Sequence, residues 1–201
     1  MSAETKNVVL LLYPDVEVLD FAGPFEVFSV AAQCAALQSI RVRTVAHHKA
    51  QLCTVGGLKV VPDDDFASSP QADVLLVPGG IGSRRAVRDE AVLAWLQRQA
   101  MEAEIVASIC TGALLLGRLG LLDGLRATTH WGAIELLREF APRIEVLTEA
   151  RFVDNGKYLS SAGISAGIDM SLYLVSRIYG VDLAEQTARE MEYDWRVRQP
   201  G

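Results

Sequence analysis

Continuous apolar runs recur along the chain and end at turn-forming residues. "NVVLLLY" (7–13) stops at Pro14, "DVLLVPGG" (73–80) runs into two glycines, and "EIVASIC" (104–110) stops at a cysteine. Short runs rich in Val, Ile and Leu are typical of strands that are buried on both faces. We therefore predict that these three segments are central strands of a parallel sheet.

The segments between these runs have the spacing of helices or hairpins. Residues 23–37 place Pro24 in a first helical turn, and residues 89–103 form an amphipathic helix pattern. The remaining predicted elements are strands at 40–46 and 144–148, a short hairpin at 51–62 around Gly56-Gly57, a hairpin at 151–163 with Asn155-Gly156 at its turn, and helices at 111–120, 131–140, 165–179 and 182–194. Strands that alternate with helices predict an α/β fold with a mostly parallel sheet covered on both faces. Because there is no repeat, low-complexity tract or linker, we expect a single domain over 1–201.

Composition and charge narrow the class of protein. The 201 residues are 50% hydrophobic and carry a formal net charge of −6, which argues against a nucleic-acid partner. The three cysteines form no C-x-x-C pair, so neither a disulfide framework nor a zinc site is expected. Neither a signal peptide nor a stretch long enough to span a membrane is evident, which favours a reducing, cytoplasmic location.

Cys110 lies where a predicted strand meets a predicted helix. The N-terminus of a helix offers free N–H groups and a positive dipole end, and both favour the thiolate, which is the nucleophilic form. A sharp strand–turn–helix corner also pushes its side chain out of the sheet. The alternative is a buried structural cysteine. For Cys34, on the apolar face of a predicted helix, and Cys53, in a predicted hairpin strand, we expect structural roles.

Two other loops end at the same predicted edge of the sheet. The N–H groups of Gly79 and Gly80, together with that of Thr111, are candidates for an anion-stabilising pocket, although a plain tight turn is the alternative. Asp20 follows the first strand and is a candidate acid if burial keeps it protonated. Alternatively, Asp20 caps a helix that starts near Gly23.

The sequence does not assign one role to each of the three histidines. His130, in "RATTHW", is either a base near the thiol of Cys110 or a satisfied, partly buried side chain. His47 and His48 end an alternating strand, where we expect a solvated edge. No histidine has the spacing of metal ligands, so we predict no metal.

Five segments in order resemble the ThiJ/PfpI superfamily, and within it the isocyanide hydratases. The segments are "LLYPDVEVLDFAGPFEVF", "DVLLVPGG", "SICTGALLLGRLGLLDGLRATTHW", "SAGISAGIDMSLYL" and "REMEY". The resemblance implies a flavodoxin-like three-layer sandwich with a nucleophile-elbow cysteine, and a homodimer. It implies that Cys110 is the nucleophile, Asp20 the carboxyl bonded to it, Thr111 the threonine that follows it and Ile164 a residue packed against it. Since protease-like members have histidine where this chain has Thr111, the resemblance weighs against proteolysis.

The activity implied by the resemblance is the hydration of an isocyanide, without a cofactor, to an N-substituted formamide. Other readings of the same superfamily are a stress or redox protein whose cysteine is oxidised, and an enzyme acting on glyoxals, in which His130 takes part. The same domain also occurs as the sensor half of transcription regulators. Only about twenty residues follow the helix at 165–179, and on that count we do not expect a DNA-binding module.

Overall fold

A seven-stranded sheet organises the fold, and the three predicted apolar runs lie at its centre. The computed structural model describes residues 5–35, 40–196 and 200–201. The sheet has the order β10-β11-β7-β6-β1-β2-β5, and only β10 runs antiparallel to its neighbour. Its strands are β1 (Lys6–Leu11), β2 (Ile40–Ala46), β5 (Asp64–Asp65), β6 (Val74–Val77), β7 (Ile105–Ile109), β10 (Phe152–Asp154) and β11 (Tyr158–Ser161).

Helices cover both faces of this sheet. The helices are α1 (Val18–Cys34), α2 (Ser83–Ala86), α3 (Glu90–Glu102), α4 (Ala113–Arg118), α5 (Ile134–Phe140), α6 (Ala166–Tyr179) and α7 (Val181–Glu190). Helices α1, α6 and α7 contact one another, and α4 contacts α2 and α5. The result is the predicted flavodoxin-like three-layer sandwich, whose central strands β6 and β7 are buried at every position.

The order of the strands places the carboxyl ends of β1, β6 and β7 side by side. Strands β1 and β6 are neighbours, but the chain runs on from β1 to β2 on one side and from β6 to β7 on the other, so the connections that leave these two strands go in opposite directions. Open α/β sheets form their binding crevices at this kind of switch point. The segments that follow β1, β6 and β7 contain Asp20, Gly79 and Cys110, respectively.

The start of α1 differs from the prediction. The helix begins at Val18, five residues before the predicted start, and Pro24 lies inside it. Its N-cap, Glu17, makes no side-chain capping bond, so the usual Ser, Thr or Asn signal for a helix start is missing. Residues 36–37 of the predicted helix lie outside the described residues.

Several short elements complete the fold. The two predicted hairpins are confirmed: β3 (Leu52–Cys53) pairs antiparallel with β4 (Lys59–Val60), and β10 pairs antiparallel with β11. The strand predicted at 144–148 is β9 (Glu145–Val146), which pairs with β8 (Arg126–Ala127) in a separate small sheet. Among the described residues, no helix is both long enough and apolar enough to cross a membrane.

Candidate active site

Cys110 occupies a strained elbow between β7 and α4. Its φ angle is 55°, in the left-handed region that residues other than glycine rarely adopt. A short 3-10 turn, Cys110–Gly112, leads into α4. A Cβ on Gly112 would lie 1.9 Å from the carbonyl oxygen of Val77, so only glycine lets this turn pack against the end of β6. The elbow therefore has the predicted strand–turn–helix geometry.

Hydrogen bonds to two other segments fix this elbow. The N–H of Cys110 donates to the carbonyl oxygen of Ala162 (3.3 Å), and the Thr129 hydroxyl donates to the carbonyl oxygen of Cys110 (2.8 Å). The side chain of Cys110 is only 5% exposed. Backbone strain of this kind persists only where the surroundings hold it, and such strain is concentrated at functional sites.

Asp20 lies in the first turn of α1 and is fully buried. One carboxylate oxygen, Oδ2, accepts a hydrogen bond from the Gly79 N–H at 3.0 Å. Among the described residues, the other oxygen, Oδ1, has no partner of good hydrogen-bond geometry. The proposed role of Asp20 as the cap of a helix starting near Gly23 was wrong, because the helix starts before it.

Burial raises the pKa of Asp20 from 3.8 to about 7. The Gly79 N–H and the Cys110 side chain lower the pKa, and the negative charge of Glu17 raises it further. A carboxyl group with this pKa is divided between its acid and its base form near neutral pH. Such a group can both accept and donate a proton in one reaction cycle.

Cys110 differs from the thiolate expected from the sequence. Burial raises its pKa from 9.0 to about 12, and the negative charge of Asp20 adds to the effect. The N–H groups of Thr111 and Ile164 lower the pKa, but they do not outweigh burial. Because α4 has only six residues, its dipole is weak. The resting state of the pair is thus a thiol beside a partly ionised carboxyl.

The glycine loop after β6 is tied to Thr111. The Gly79 N–H is used by Asp20, and the Gly80 N–H donates to Oγ1 of Thr111 at 2.9 Å. The hydroxyls of Ser83 and Thr111 are 3.0 Å apart, and each also bonds the carbonyl oxygen of Gly80. The glycine N–H groups expected to stabilise an anion are therefore already engaged within the protein. Ser83, which sequence reasoning did not single out, belongs to this buried cluster.

Glycine is required at positions 79 and 80 because neighbouring segments of the chain approach the backbone too closely for a Cβ, and not only because the chain turns there. A Cβ on Gly79 would lie 2.5 Å from the backbone nitrogen of Thr111 and 2.9 Å from Oδ2 of Asp20. Gly80 has a φ angle of 119°, and a Cβ there would lie 2.4 Å from the backbone nitrogen of Glu17. The absence of side chains lets the three loops converge on the carboxyl of Asp20.

Ile164 and His130 lie on the outer side of the site. Ile164 has a φ angle of 54° and is 40% exposed, and its N–H lowers the pKa of both Cys110 and Asp20. The ring of His130 packs on Gly163, where a Cβ would lie 2.3 Å from Cδ2 of the histidine. Nδ1 of His130 accepts a hydrogen bond from the Gly132 N–H at 3.1 Å. No hydrogen bond joins His130 to Cys110 in the described part of the chain.

A polar clamp that the sequence did not reveal supports the Ile164 turn. Asp169 accepts hydrogen bonds from Nε of Arg151 and from the hydroxyl of Tyr193, the latter at 3.2 Å. Nη2 of Arg151 also reaches Oγ of Ser165, next to Ile164, at 3.3 Å. The clamp gives a structural role to the tyrosine of "REMEY" and to the aspartate of "AGIDMSL". The sequence did not reveal it, because these residues are distant along the chain and meet only in the fold.

Tyr13 is a second buried group that the sequence did not single out. Its hydroxyl donates to the carbonyl oxygen of Pro78 at 2.6 Å, directly before Gly79. Burial raises its pKa well above 10.0, and the charges of Asp20 and Cys110 raise it further. In the sequence, Tyr13 is the last residue of an apolar run, and its neighbours give no sign of a buried polar group.

Comparison with known proteins places this site in a family. The sequence profile of the DJ-1/PfpI family matches residues 6–177. The chain belongs to the DJ-1/PfpI family. It is 37% identical to the isonitrile hydratase of Pseudomonas putida over 187 residues, which are 93% of this chain and 78% of that protein. It is also 30% identical to the HTH-type transcriptional regulator GbdR of Pseudomonas aeruginosa over 96% of this chain, but this chain spans only 52% of that regulator.

Solved structures of the family share the fold. A ThiJ/PfpI family protein from Pseudomonas syringae superposes with a TM-score of 0.86 at 31% identity, covering 97% of this chain and 78% of that one. DJ-1beta of Drosophila melanogaster superposes with a TM-score of 0.83 at 19% identity, covering 95% of this chain and all of that one. Within the described residues, no group of three or more His, Cys, Asp or Glu side chains is placed to hold a metal ion.

Proposed function

We propose that this protein hydrates an isocyanide, R–N≡C, to an N-substituted formamide, with Cys110 as the nucleophile. The observation that carries the proposal is the buried pair of Cys110 and Asp20. The carboxyl of Asp20 has a pKa of about 7, and its Oδ1 has no hydrogen-bond partner of good geometry among the described residues. The similarity to the isonitrile hydratase of Pseudomonas putida supports the proposal.

In the first half of the reaction, the Asp20 carboxylate takes the proton of the Cys110 thiol as sulfur attacks the terminal carbon of the isocyanide. Asp20 then returns this proton to the same carbon, which gives the thioimidate R–N=CH–S–Cys110. A thiol with a raised pKa needs a base in contact with it, and Asp20 fills that role. The net charge of the Cys110–Asp20 pair does not change in this step, since the proton that the thiol loses is the one that the carboxylate gains.

In the second half, water adds to the thioimidate carbon and nitrogen takes up a proton. Sulfur leaves with the last proton, which restores the thiol and releases R–NH–CHO. Asp20 is the group that accepts and donates these protons, because its carboxyl is in contact with the side chain of Cys110. Thr111, Gly79 and Gly80 hold Asp20 and Cys110 in register, while Ile164 and His130 face the R group at the outer side.

We also propose that the chain acts as a single domain, as a homodimer and without a cofactor, in the cytoplasm. The family resemblance supports the dimer, and the net charge of −6 supports a small-molecule substrate rather than nucleic acid. The raised pKa of Cys110 weighs against a redox sensor, whose cysteine should have a low pKa. An enzyme acting on glyoxals through His130 is less favoured, because Nδ1 of that ring is bonded to Gly132.

Cyclohexyl isocyanide tests the proposal directly. Purified wild-type protein, Cys110→Ala and Cys53→Ala are incubated with the substrate, and the formamide is followed by mass spectrometry. Cys53 is exposed and serves as the matched control. We expect turnover by wild type and Cys53→Ala, and none by Cys110→Ala.

Two results would overturn the proposal. Turnover by folded Cys110→Ala would remove the cysteine mechanism. No turnover by folded wild type would move the function to another role of the family, such as ligand sensing, which the similarity to GbdR favours.

A further inference from the structure

A second cleft lies beside the Cys110 site and is separate from it. It has a volume of about 400 Å³ and opens between the carboxyl ends of β1 and β2 and the helices α2 and α3. Neither Cys110 nor Asp20 lines it. A volume of several hundred Å³ is typical of small-molecule pockets.

The floor of this cleft is apolar and its rim is polar. Leu12, Ala46, Leu52, Ala86 and Val92 contribute apolar side chains. His47, His48, Gln51, Arg85 and Asp89 contribute polar groups. A mainly apolar lining with a few polar groups is the usual composition of a site that holds and orients a small organic molecule.

A stack of four rings leads into the cleft. The rings of His48 and His47 are 4.1 Å apart at 16°, and those of His47 and Phe66 are 5.3 Å apart at 16°. Phe66 in turn stacks on the buried ring of Trp95, at 4.7 Å and 11°. The two imidazoles that line the cleft are thus held in parallel planes by a support that reaches the core. Fixed parallel rings offer a flat surface to another planar ring.

The permanent charges around the cleft balance. The lining contains one guanidinium, that of Arg85, and one carboxylate, that of Asp89. Arg85 also pairs with Asp15, and Asp89 caps α3 by accepting N–H groups of Ala91 and Val92. Because each charge already has a partner, a charged ligand would find no unpaired counter-charge and would lose its own hydration.

We propose that this cleft binds a small uncharged molecule that has a planar aromatic ring and one hydrogen-bonding group. The ring lies against the imidazole of His48, which ends the stack, because His47 already stacks on His48 and Phe66. The ring covers the apolar floor, and the polar group meets the rim at Gln51. This proposal stands apart from the reaction proposed for Cys110, since it needs none of the residues at the elbow.

The site has a physical link to the elbow through one shared wall. Tyr13 lines the cleft, and its hydroxyl bonds the carbonyl oxygen of Pro78, the residue before Gly79. Gly82 also lines the cleft, and its N–H donates to the carbonyl oxygen of Asp15. A ligand in the cleft therefore contacts two of the three loops that converge on Asp20.

Phenol, cyclohexanol and benzoate form a matched set of probes. Phenol is planar and uncharged, cyclohexanol has a similar size but no flat ring, and benzoate adds a negative charge. The imidazole C–H signals of His47 and His48 are followed by NMR during titration of the wild-type protein. We expect saturable shifts with phenol, with a dissociation constant on the order of 1 mM for so few atoms, and at least tenfold weaker binding of the other two.

Two variants locate the binding. Ala50 lines the cleft, so Ala50→Trp should fill it and abolish the phenol-induced shifts. Ala94 is exposed on α3 outside the lining, so Ala94→Trp should leave them unchanged. The proposal is overturned if wild type gives no saturable shift with phenol, if cyclohexanol or benzoate binds as tightly, or if folded Ala50→Trp binds phenol like wild type.

Discussion

Asp20 and Asp169 are two buried aspartates in the first turns of two helices that pack against each other, α1 and α6. Their exposed fractions are 0% and 4%. Asp169 has a cation, Arg151, and a hydroxyl, that of Tyr193, on its two oxygens. Asp20 has the Gly79 N–H on one oxygen and no partner of good geometry on the other within the described chain.

The hydrogen-bond partners of the two carboxyls indicate different roles, structural for Asp169 and chemical for Asp20. A buried charge is expensive unless it is paired. Asp169 is paired, so its charge can stabilise the turn that carries Ile164. Asp20 forms no ion pair with the described residues, so burial raises its pKa to about 7 and its proton becomes mobile at neutral pH.

Asparagine at each position gives the largest expected contrast. Because a positioned acid–base group typically contributes about 10²- to 10⁴-fold, Asp20→Asn should lower the hydration rate by at least about 100-fold. Asp169→Asn should retain most of the rate, since Asp169 does not touch the sulfur. Steady-state rates with cyclohexyl isocyanide measure both, and similar losses in the two variants would abolish the distinction.

The pH dependence sharpens the same contrast. The reactive state has one proton shared by Asp20 and Cys110, and protonation of the carboxylate removes the base. The value of kcat/KM should therefore rise with pH through about 7, falling about tenfold per pH unit well below that value. The alkylation rate of Cys110 by iodoacetamide should follow the same curve in wild type and in Asp169→Asn. A flat profile between pH 5 and pH 8 would contradict the assignment to Asp20.

Stability should respond to Asp20→Asn in the opposite direction to activity. Folding raises the pKa of Asp20 from 3.8 to about 7, so between these values the folded chain binds more protons than the unfolded chain. Stability of the wild type accordingly falls as pH rises through this window. At pH 8, removal of the charge should increase the free energy of unfolding by roughly 1–3 kcal/mol, since each pKa unit is worth about 1.4 kcal/mol and the Asn amide returns part of the gain. Urea unfolding at pH 4 and pH 8 measures the effect, and an equal change at both pH values would refute its origin in ionisation.

Asp169→Asn should destabilise the fold. It leaves the guanidinium of Arg151 without its carboxylate, although partial exposure of Arg151 lets water replace some of the interaction. We expect a loss of roughly 1–3 kcal/mol in the free energy of unfolding, typical of a broken hydrogen bond to a charged group. Unchanged urea midpoints would mean that the clamp contributes nothing to stability.

Tyr193→Phe should have the smallest effect. It removes one 3.2 Å hydrogen bond to Oδ1 of Asp169 and keeps the ring. The expected loss is about 1 kcal/mol, measurable as a shift of the urea midpoint, with little change in kcat. A loss of activity larger than that of Asp169→Asn would show that Tyr193 acts on the site by another route.

The sequence predicted best those features that depend on interactions between residues close together in the chain. The apolar runs that became β1, β6 and β7 and the corner at Cys110 depend on near neighbours, and both were predicted. The early start of α1 was missed because Pro24 signals a first turn and Glu17 is a poor cap. The two-residue strands β5 and β8 are too short to leave a pattern.

The chemistry of the site was harder to predict because burial is set by the whole fold. The position of Cys110 before a helix suggested a lowered pKa, but enclosure by the surrounding segments raises it. The clamp of Arg151, Asp169 and Tyr193 and the cleft beside His47 join residues whose separation in the sequence hides them. The local pattern around Asp20 allowed either a buried acid or a helix cap, and only the start of α1 at Val18 rules out the cap.

The raised pKa of Cys110 reverses the usual expectation of when a cysteine is vulnerable. In the folded chain the sulfur is enclosed and held as a thiol. During synthesis, before β7, β11 and α4 have assembled, the same sulfur is an ordinary exposed thiol with a pKa of about 8.5. Oxidants, which react with the thiolate, should therefore damage newly made chains faster than mature ones. Slow folding of the nascent chain would then lower the fraction of molecules that become active.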